Sequence, residues 1–456
     1  MSTPSSSEEV ERVEGGGGSS SRGRRMRLSS INSYGVWPEP FVEAFAYKVA
    51  IDAALNLGRL AAAQALFHIF RVCSTWRAIS RSELLWQNLT QRIWNINHLL
   101  LRHTWREEYI YRHRTAANFR RRRYAHTTLQ YYIPPDDYDN NIGQHSCRRL
   151  ALSDHHLAAG FSDGAVRLFH LPSSRHLSTF YPQHRDRIGR FSRSVSGIIL
   201  SDISLVFATL DGDIHATVIH GGGTGPLRRA HMGDVVNDGA LVDFTGNSRW
   251  WVGLYAGVPG RAFHIWNNET GELVFIGGTL TDPQALMGWH SLTEITDDVI
   301  GRVRITNHGN AVIACTSLRV IVFDLQNQVG LVLGELQQQL VRSRGIIVSS
   351  FDSNADSALI ADSRGAATLR RVVDLTEICR FTVRGGGLVL GCVNGGYGVV
   401  FGGGVIRVWE IESGGYMYSF RERIGEFCDA LVVDERYVAA CASSGVVHVW
   451  DFGAQI

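Results

Sequence analysis

Residues 160 to 164 read GFSDG, a match to the G-x-S-x-G nucleophile elbow in which a serine on a strand-to-helix turn attacks a carbonyl. That chemistry needs a helix after the serine, with an acid and a histidine further along an α/β sheet. Here the motif sits in an apolar-turn-apolar phrase that recurs six more times, so Ser162 reads as a hairpin residue. Asp154-His155-His156 and Asp211-Gly212-Asp213 carry metal-ligand side chains without a second pair at metal spacing, and read as turns. HRDRIGRFSR (184 to 193) gathers Arg185, Arg187, Arg190 and Arg193 in one connection. Guanidinium groups so placed either grip carboxylates or phosphates through paired hydrogen bonds or line a solvated loop. RVCSTWRAISRSELLWQNL (71 to 89) has no catalytic group but carries Trp76 and Trp86 on two short amphipathic helices, where they either seal a private core or dock on another protein.

Composition narrows the chemistry further. Of 45 Lys plus Arg residues only Lys48 is a lysine, so no G-K-[ST] phosphate loop exists and a Schiff-base enzyme would have to use that residue. Arginine-favouring codons explain this scarcity without any function. The formal net charge of +2 argues against a wholesale nucleic-acid or membrane binder. Seven scattered cysteines with no C-x-x-C pair fit a reducing compartment, and no metal or other cofactor is expected. Neither a secretion signal nor a membrane-spanning apolar run is present, which predicts a cytosolic or nuclear protein.

The elements that would carry these residues fall into four parts. Residues 1–34 are rich in Ser, Gly and Glu and predict a disordered tail, in which RGRRMR (22 to 27) reads as a nuclear import signal or as solvated charge. Residues 35–92 predict helices: Phe41, Phe45 and Val49 repeat every four residues behind Pro38 and Pro40. Residues 93–123 predict a helical linker ending in four arginines. From 124 to 456 seven strand-turn-strand phrases follow, from LAAGFSDGAVRLFHL to VAACASSGVVHVWDF. Phe169, Thr217, Trp266, Phe323, Arg370, Trp409 and Trp450 mark equivalent positions, at steps of 48, 49, 57, 47, 39 and 41. That period belongs to four-stranded propeller blades. Glycines after Asp163, Asp211, Arg364 and Ser444 suit tight hairpins, and SGIILSD, GIIVSSF and ALVVDE supply inner strands. The last phrase leaves no residues for its outer strand, so TTLQYYI (127 to 133) is predicted to close the ring. Trp250, Trp251 and Tyr255 read as blade core.

The phrases resemble degenerate WD repeats: Trp450-Asp451 keeps the name-giving dipeptide, while Trp409-Glu410, Phe323-Asp324 and Trp266-Asn267 drift from it. The helical stretch resembles an F-box, with Trp37-Pro38, Phe41 and Phe45, then Val72-Cys73-x-x-Trp76, then Leu85-Trp86. NDGALVDFTGNSRWWVGLYAGVPGRAFHIW (237 to 266), GGTLTDPQALMGWHSLTE (277 to 294) and VWPEPF (36 to 41) closely resemble a plant family that joins an F-box to such a propeller. The fold expected is thus α+β and multidomain, a small all-α F-box and helical linker followed by an all-β seven-bladed WD-repeat-like propeller.

The resemblance implies a nuclear substrate-recognition subunit of an SCF ubiquitin ligase, not itself an enzyme, that acts on growth-repressing transcriptional regulators in flower and organ development. Its partners would be a Skp-type adaptor, a cullin and a protein substrate. Its adaptor-binding residues would be Trp37, Pro38, Phe41, Phe45, Val72, Cys73, Trp76, Leu85 and Trp86. A core of this size cannot bury Phe41, Trp76 and Trp86 unaided, which leaves an apolar face for a partner; alternatively both tryptophans pack on the helix at 105 to 119, or one serves each role. A nuclear scaffold or transcriptional co-regulator without a ligase is the other reading.

Overall fold

The computed structural model describes residues 37–96, 102–130, 146–182, 190–220, 223–278, 301–306, 309–316, 319–337, 348–362, 364–383 and 389–454. The tail, RGRRMR and most of GGTLTDPQALMGWHSLTE lie outside them.

Five α-helices come first: α1 (Glu39–Leu57), α2 (Ala61–Ile69), α3 (Ser74–Ala78), α4 (Glu83–Trp94) and α5 (Trp105–Arg120). Proline fixes the backbone at the start of α1, and Gly58 ends it at a φ of +88°. Ser82 caps α4 by accepting from the Leu85 amide at 3.2 Å, and its hydroxyl donates to Glu43 of α1 at 2.9 Å. Helix α1 carries two adjacent apolar stripes. Val42, Ala46 and Ala50 are buried, their small side chains allowing close helix approach, while Phe41 and Phe45 lie beside them on the outside. Helix α5 is no free spacer, for Tyr109 and Ala116 sit in the same apolar core as Leu66, Leu85 and Trp94.

Seven four-stranded antiparallel sheets follow, the second with one extra short strand; blades 1 and 3 to 6 pair their strands in sequence order. Blade 1 runs from Cys147–Leu152 to Arg175–Phe180, and blade 7 begins at Cys428–Val433. Blade 7 takes its outer strand from Ala125–Leu129, which pairs antiparallel with Val447–Asp451. The ring therefore closes from both ends, as the sequence predicts, with the strand starting two residues earlier and Tyr131 to Ile133 outside the described residues. Each pair of neighbouring blades shares one buried apolar cluster.

The repeat positions chosen from sequence are structurally equivalent. The register between third and outer strands shifts between Leu168 and Phe169, Ile265 and Trp266, Val322 and Phe323, Leu369 and Arg370, and Val408 and Trp409. One bulge at the same place in five blades adds the same local twist to each. Gly164, Gly212, Gly365 and Gly445 hold φ between +82° and +88°, the conformation their hairpins require. GFSDG is one of these turns, with Asp163 accepting from the Ala165 amide at 2.9 Å.

The side-chain network of regular repeats survives unevenly. In blade 7 the Trp450 indole donates to Glu422 at 2.9 Å, whereas the buried indole nitrogens of Trp250, Trp251 and Trp266 have no hydrogen-bond partner among the described residues. His264, buried against Tyr255 with ring centroids 4.2 Å apart, is held by desolvation at about 4, below its ordinary 6.5. The neutral ring is the folded form, so the unfolded chain binds more protons between those values. Stability is then fully present above pH 6.5 and declines as pH falls toward 4, by on the order of 2–3 kcal/mol from this ring. Denaturant melts at pH 7 and pH 4.5 should show that loss, reduced in His264→Phe.

Candidate functional site

The outer stripe of α1 continues onto α3. Trp37, Phe41 and Phe45 are 55%, 48% and 42% exposed, and Val72 and Cys73 are exposed as well. Trp37 stacks on Phe41 at 4.8 Å between centroids, and Phe45 meets Trp76 edge-on at 5.8 Å. Trp76 itself is half-buried at the rim of the helical core. Pro38 is exposed at the head of the stripe. Aromatics left this open and packed mainly on one another form an apolar patch of the kind that marks a protein interface.

Leu85 and Trp86, grouped with these residues by sequence, belong elsewhere. Leu85 is fully buried and Trp86 is 6% exposed. The Trp86 indole donates to the Ser80 carbonyl at 2.8 Å, and its ring lies 5.0 Å from that of Tyr109 on α5. The cause is α5, which covers the side of α4 that a shorter helical module would leave open. The two tryptophans thus divide the roles, Trp86 in the core and Trp76 at the surface. Trp86→Ala should cost about 3–5 kcal/mol, a large share of a small domain's stability, and melt the helices in a denaturant titration followed by circular dichroism.

Helix α5 also ties this face to the propeller. Phe119 stacks on Phe452 at 4.1 Å and on Tyr397 at 4.6 Å, and its carbonyl accepts from the Tyr418 hydroxyl at 2.6 Å. Asn118 donates to the Phe452 carbonyl at 3.0 Å. Arg59, between α1 and α2, pairs with Glu435 at 2.6 Å and lies over the rings of Trp94 and Tyr397. The aromatic face and blades 6 and 7 are held in one orientation.

On the propeller the sequence pointed to the connection at 184 to 193. Arg185 and Arg187 lie outside the described residues, and Arg190 and Arg193 open and close a short 3-10 turn leading into blade 2. A second charged group, which the sequence reading missed, lines the central channel, a cavity of 320 Å³. Arg148, Arg149, Arg302 and Arg304 face Asp243, Asp352 and Asp429 there, a lining one formal charge positive. Asp243, fully buried, lies 3.3 Å from Arg149 and 3.0 Å from Arg304, and Arg304 reaches on to Asp352 at 3.1 Å. Blades 1, 3, 4 and 5 are thereby laced together.

Burial pushes the Arg149 guanidinium well down, with Arg302 next in repelling it, and burial likewise lowers Arg302. Burial would lower Arg304 too, but Asp243 and Asp352 outweigh it and raise that group. Arg302 reaches Asp243 only at 3.9 Å, which leaves guanidinium capacity in the channel for an anionic group. The signal for this set was present in CRRLAL and GRVRIT, inner strands whose apolar pattern arginine interrupts, Arg149 standing where blade 2 carries Gly197.

Among the described residues no group of three or more His, Cys, Asp or Glu side chains converges as metal ligands would.

No family model matches the chain. Among solved structures, the computationally designed Ika8 protein is similar over 68% of this chain and 85% of its own, at 15% identity and a TM-score of 0.47. BamB from Moraxella catarrhalis is similar over 67% of this chain and 85% of its own, at 15% identity and a TM-score of 0.44. Among curated proteins, the transcriptional regulator STERILE APETALA of Arabidopsis thaliana is 53% identical over 425 residues, 92% of each chain. With that identity across helices and propeller alike, the chain belongs to the STERILE APETALA family.

Proposed function

We propose that the protein is a nuclear substrate-recognition subunit of an SCF-type cullin-RING ubiquitin ligase. Trp37, Phe41, Phe45, Val72 and Trp76 dock the Skp-type adaptor, which joins the chain to the cullin. Helix α5 sets the distance, and the propeller presents a protein target, a growth-repressing transcriptional regulator of flower and organ development. The observation that carries this reading is the aromatic stripe of α1 and α3, open to solvent on a helical module whose motif order resembles an F-box. On the propeller, the channel arginines supply anion-gripping groups for an acidic segment of the target, joined on this reading by the arginines of the 184 to 193 connection. Acceleration comes from holding the target beside the ubiquitin-charged enzyme, so the chain needs no nucleophile, metal or cofactor of its own.

A second reading is a nuclear WD-like scaffold that acts as a transcriptional co-regulator without ligase activity; the printed name of the Arabidopsis relative, a transcriptional regulator, favours it. A pull-down of the full chain with purified Skp-type adaptor and cullin separates the two. Capture that is lost when the stripe is truncated supports the ligase subunit. No capture by the folded wild type puts the scaffold first.

A further inference from the structure

Phe41, Phe45, Lys48, Asp52 and Leu55 succeed one another at steps of four, three, four and three, which brings all five onto one stripe of α1. It is the stripe whose aromatic end forms the docking face. Lys48 stands in its middle, with its side chain 72% exposed and Nζ 3.0 Å from Asp52. An exposed pair at this spacing contributes only about 0.3–0.5 kcal/mol, so stability does not explain it. Lys48 is also the sole lysine of the 456 residues.

We propose that Lys48 is the chain's single ε-amine acceptor for ubiquitin and that the docked adaptor covers it, so that a lysine of this chain can be modified only while the adaptor is absent. The proposal rests on the docking reading above. Its chemistry is acyl transfer from a carrier enzyme's ubiquitin thioester. Nζ, having shed a proton, attacks the thioester carbonyl; the C–N amide bond forms, the C–S bond breaks, and the departing thiolate takes up a proton. The amine must approach the carbonyl unobstructed, which a partner seated across Phe41, Phe45 and Leu55 prevents. Asp52 goes under the partner with Lys48, so a paired charge is buried rather than a lone one. The 44 arginines offer no substitute acceptor, because a guanidinium stays protonated. An assembled subunit is thereby spared beside an active ligase, and an orphan subunit stays open to marking.

The test uses the full chain with and without purified adaptor, and pull-down reads adaptor binding separately. An amine-acylating N-hydroxysuccinimide ester, followed by peptide mass spectrometry, should label Lys48 at least tenfold more slowly in the complex than in the free chain. In the reconstituted ligase, wild type should yield no lysine-linked conjugate on this chain, while Arg371→Lys with Arg380→Lys, two exposed blade 5 positions, should yield one. Adaptor-free chain given a promiscuous ubiquitin ligase should be conjugated, and Lys48→Arg should remove that product. If the adaptor binds but Lys48 is labelled at an unchanged rate, or carries ubiquitin in the complex, the inference is overturned and the ligase reading stands. If the adaptor does not bind, both fall.

Discussion

If the proposed docking holds, Phe45→Ala combined with Trp76→Ala should weaken capture by the Skp-type adaptor between about a hundredfold and a thousandfold while leaving the chain folded. The magnitude follows from what the two rings do in the free protein. A central aromatic anchor contributes about 2 kcal/mol or more to an interface. Two independent anchors would give about 4 kcal/mol, or roughly a thousandfold. Here the rings touch, at 5.8 Å between centroids, so their losses overlap and the double change falls somewhat short of that sum. The fold should tolerate the change because Phe45 is 42% exposed and Trp76 is only half-buried at the rim of the helical core, leaving the fully buried cluster of Leu66, Leu85 and Leu89 intact. Tyr416→Ala, equally open but on blade 6, should bind as wild type does. Titration calorimetry on the three proteins decides it: a folded double variant that binds the adaptor normally removes this face from the proposal.

The propeller was legible because its hairpins are local. A glycine at positive φ between apolar runs marks the hairpins at Gly164, Gly212, Gly365 and Gly445 without any knowledge of the ring, and five of the equivalent positions chosen coincide with a recurring bulge. Closure by the strand before blade 1 was legible for another reason: the third strand of blade 7 presents an edge that needs a partner, and Ala125–Leu129 pairs with it. Helix α1 was read less well. Its every-fourth-residue aromatics were read as a face left for a partner and are exposed, but the buried stripe beside them, Val42, Ala46 and Ala50, went unread, because small alanines carry little apolar signal while permitting the closer packing. Trp86 was grouped with the adaptor-binding residues, with packing on the helix at 105 to 119 as the alternative, and its own helix could not decide between them; Tyr109, more than twenty residues on, covers it. The channel arginines were missed for a like reason. Which side of an inner strand faces the axis is set by the seven-fold arrangement, not by the strand, so CRRLAL and GRVRIT looked merely polar.

The joint between helices and propeller yields the second large effect, and it separates binding from transfer. Phe119 is 1% exposed between Phe452 and Tyr397, and deleting a buried phenyl ring costs about 3–5 kcal/mol. The helices keep their own core around Leu66, Trp86 and Trp94, and the clusters between blades 1 to 5 are untouched, so the loss falls first on the joint. Phe119→Ala should therefore bind adaptor and target within about twofold of wild type while losing the fixed angle between them. Misplacing a reacting group by about 1 Å can cost a hundredfold in rate, so ubiquitin transfer to the target should fall roughly tenfold to a hundredfold. Phe119→Leu, which refills most of the space, should recover most of that rate. Were Phe119→Ala to transfer ubiquitin at the wild-type rate, orientation would not limit the reaction and α5 would act as a tether alone; were it to lose adaptor and target binding together, the joint would prove to be part of the fold of blades 6 and 7 and not a separable strut.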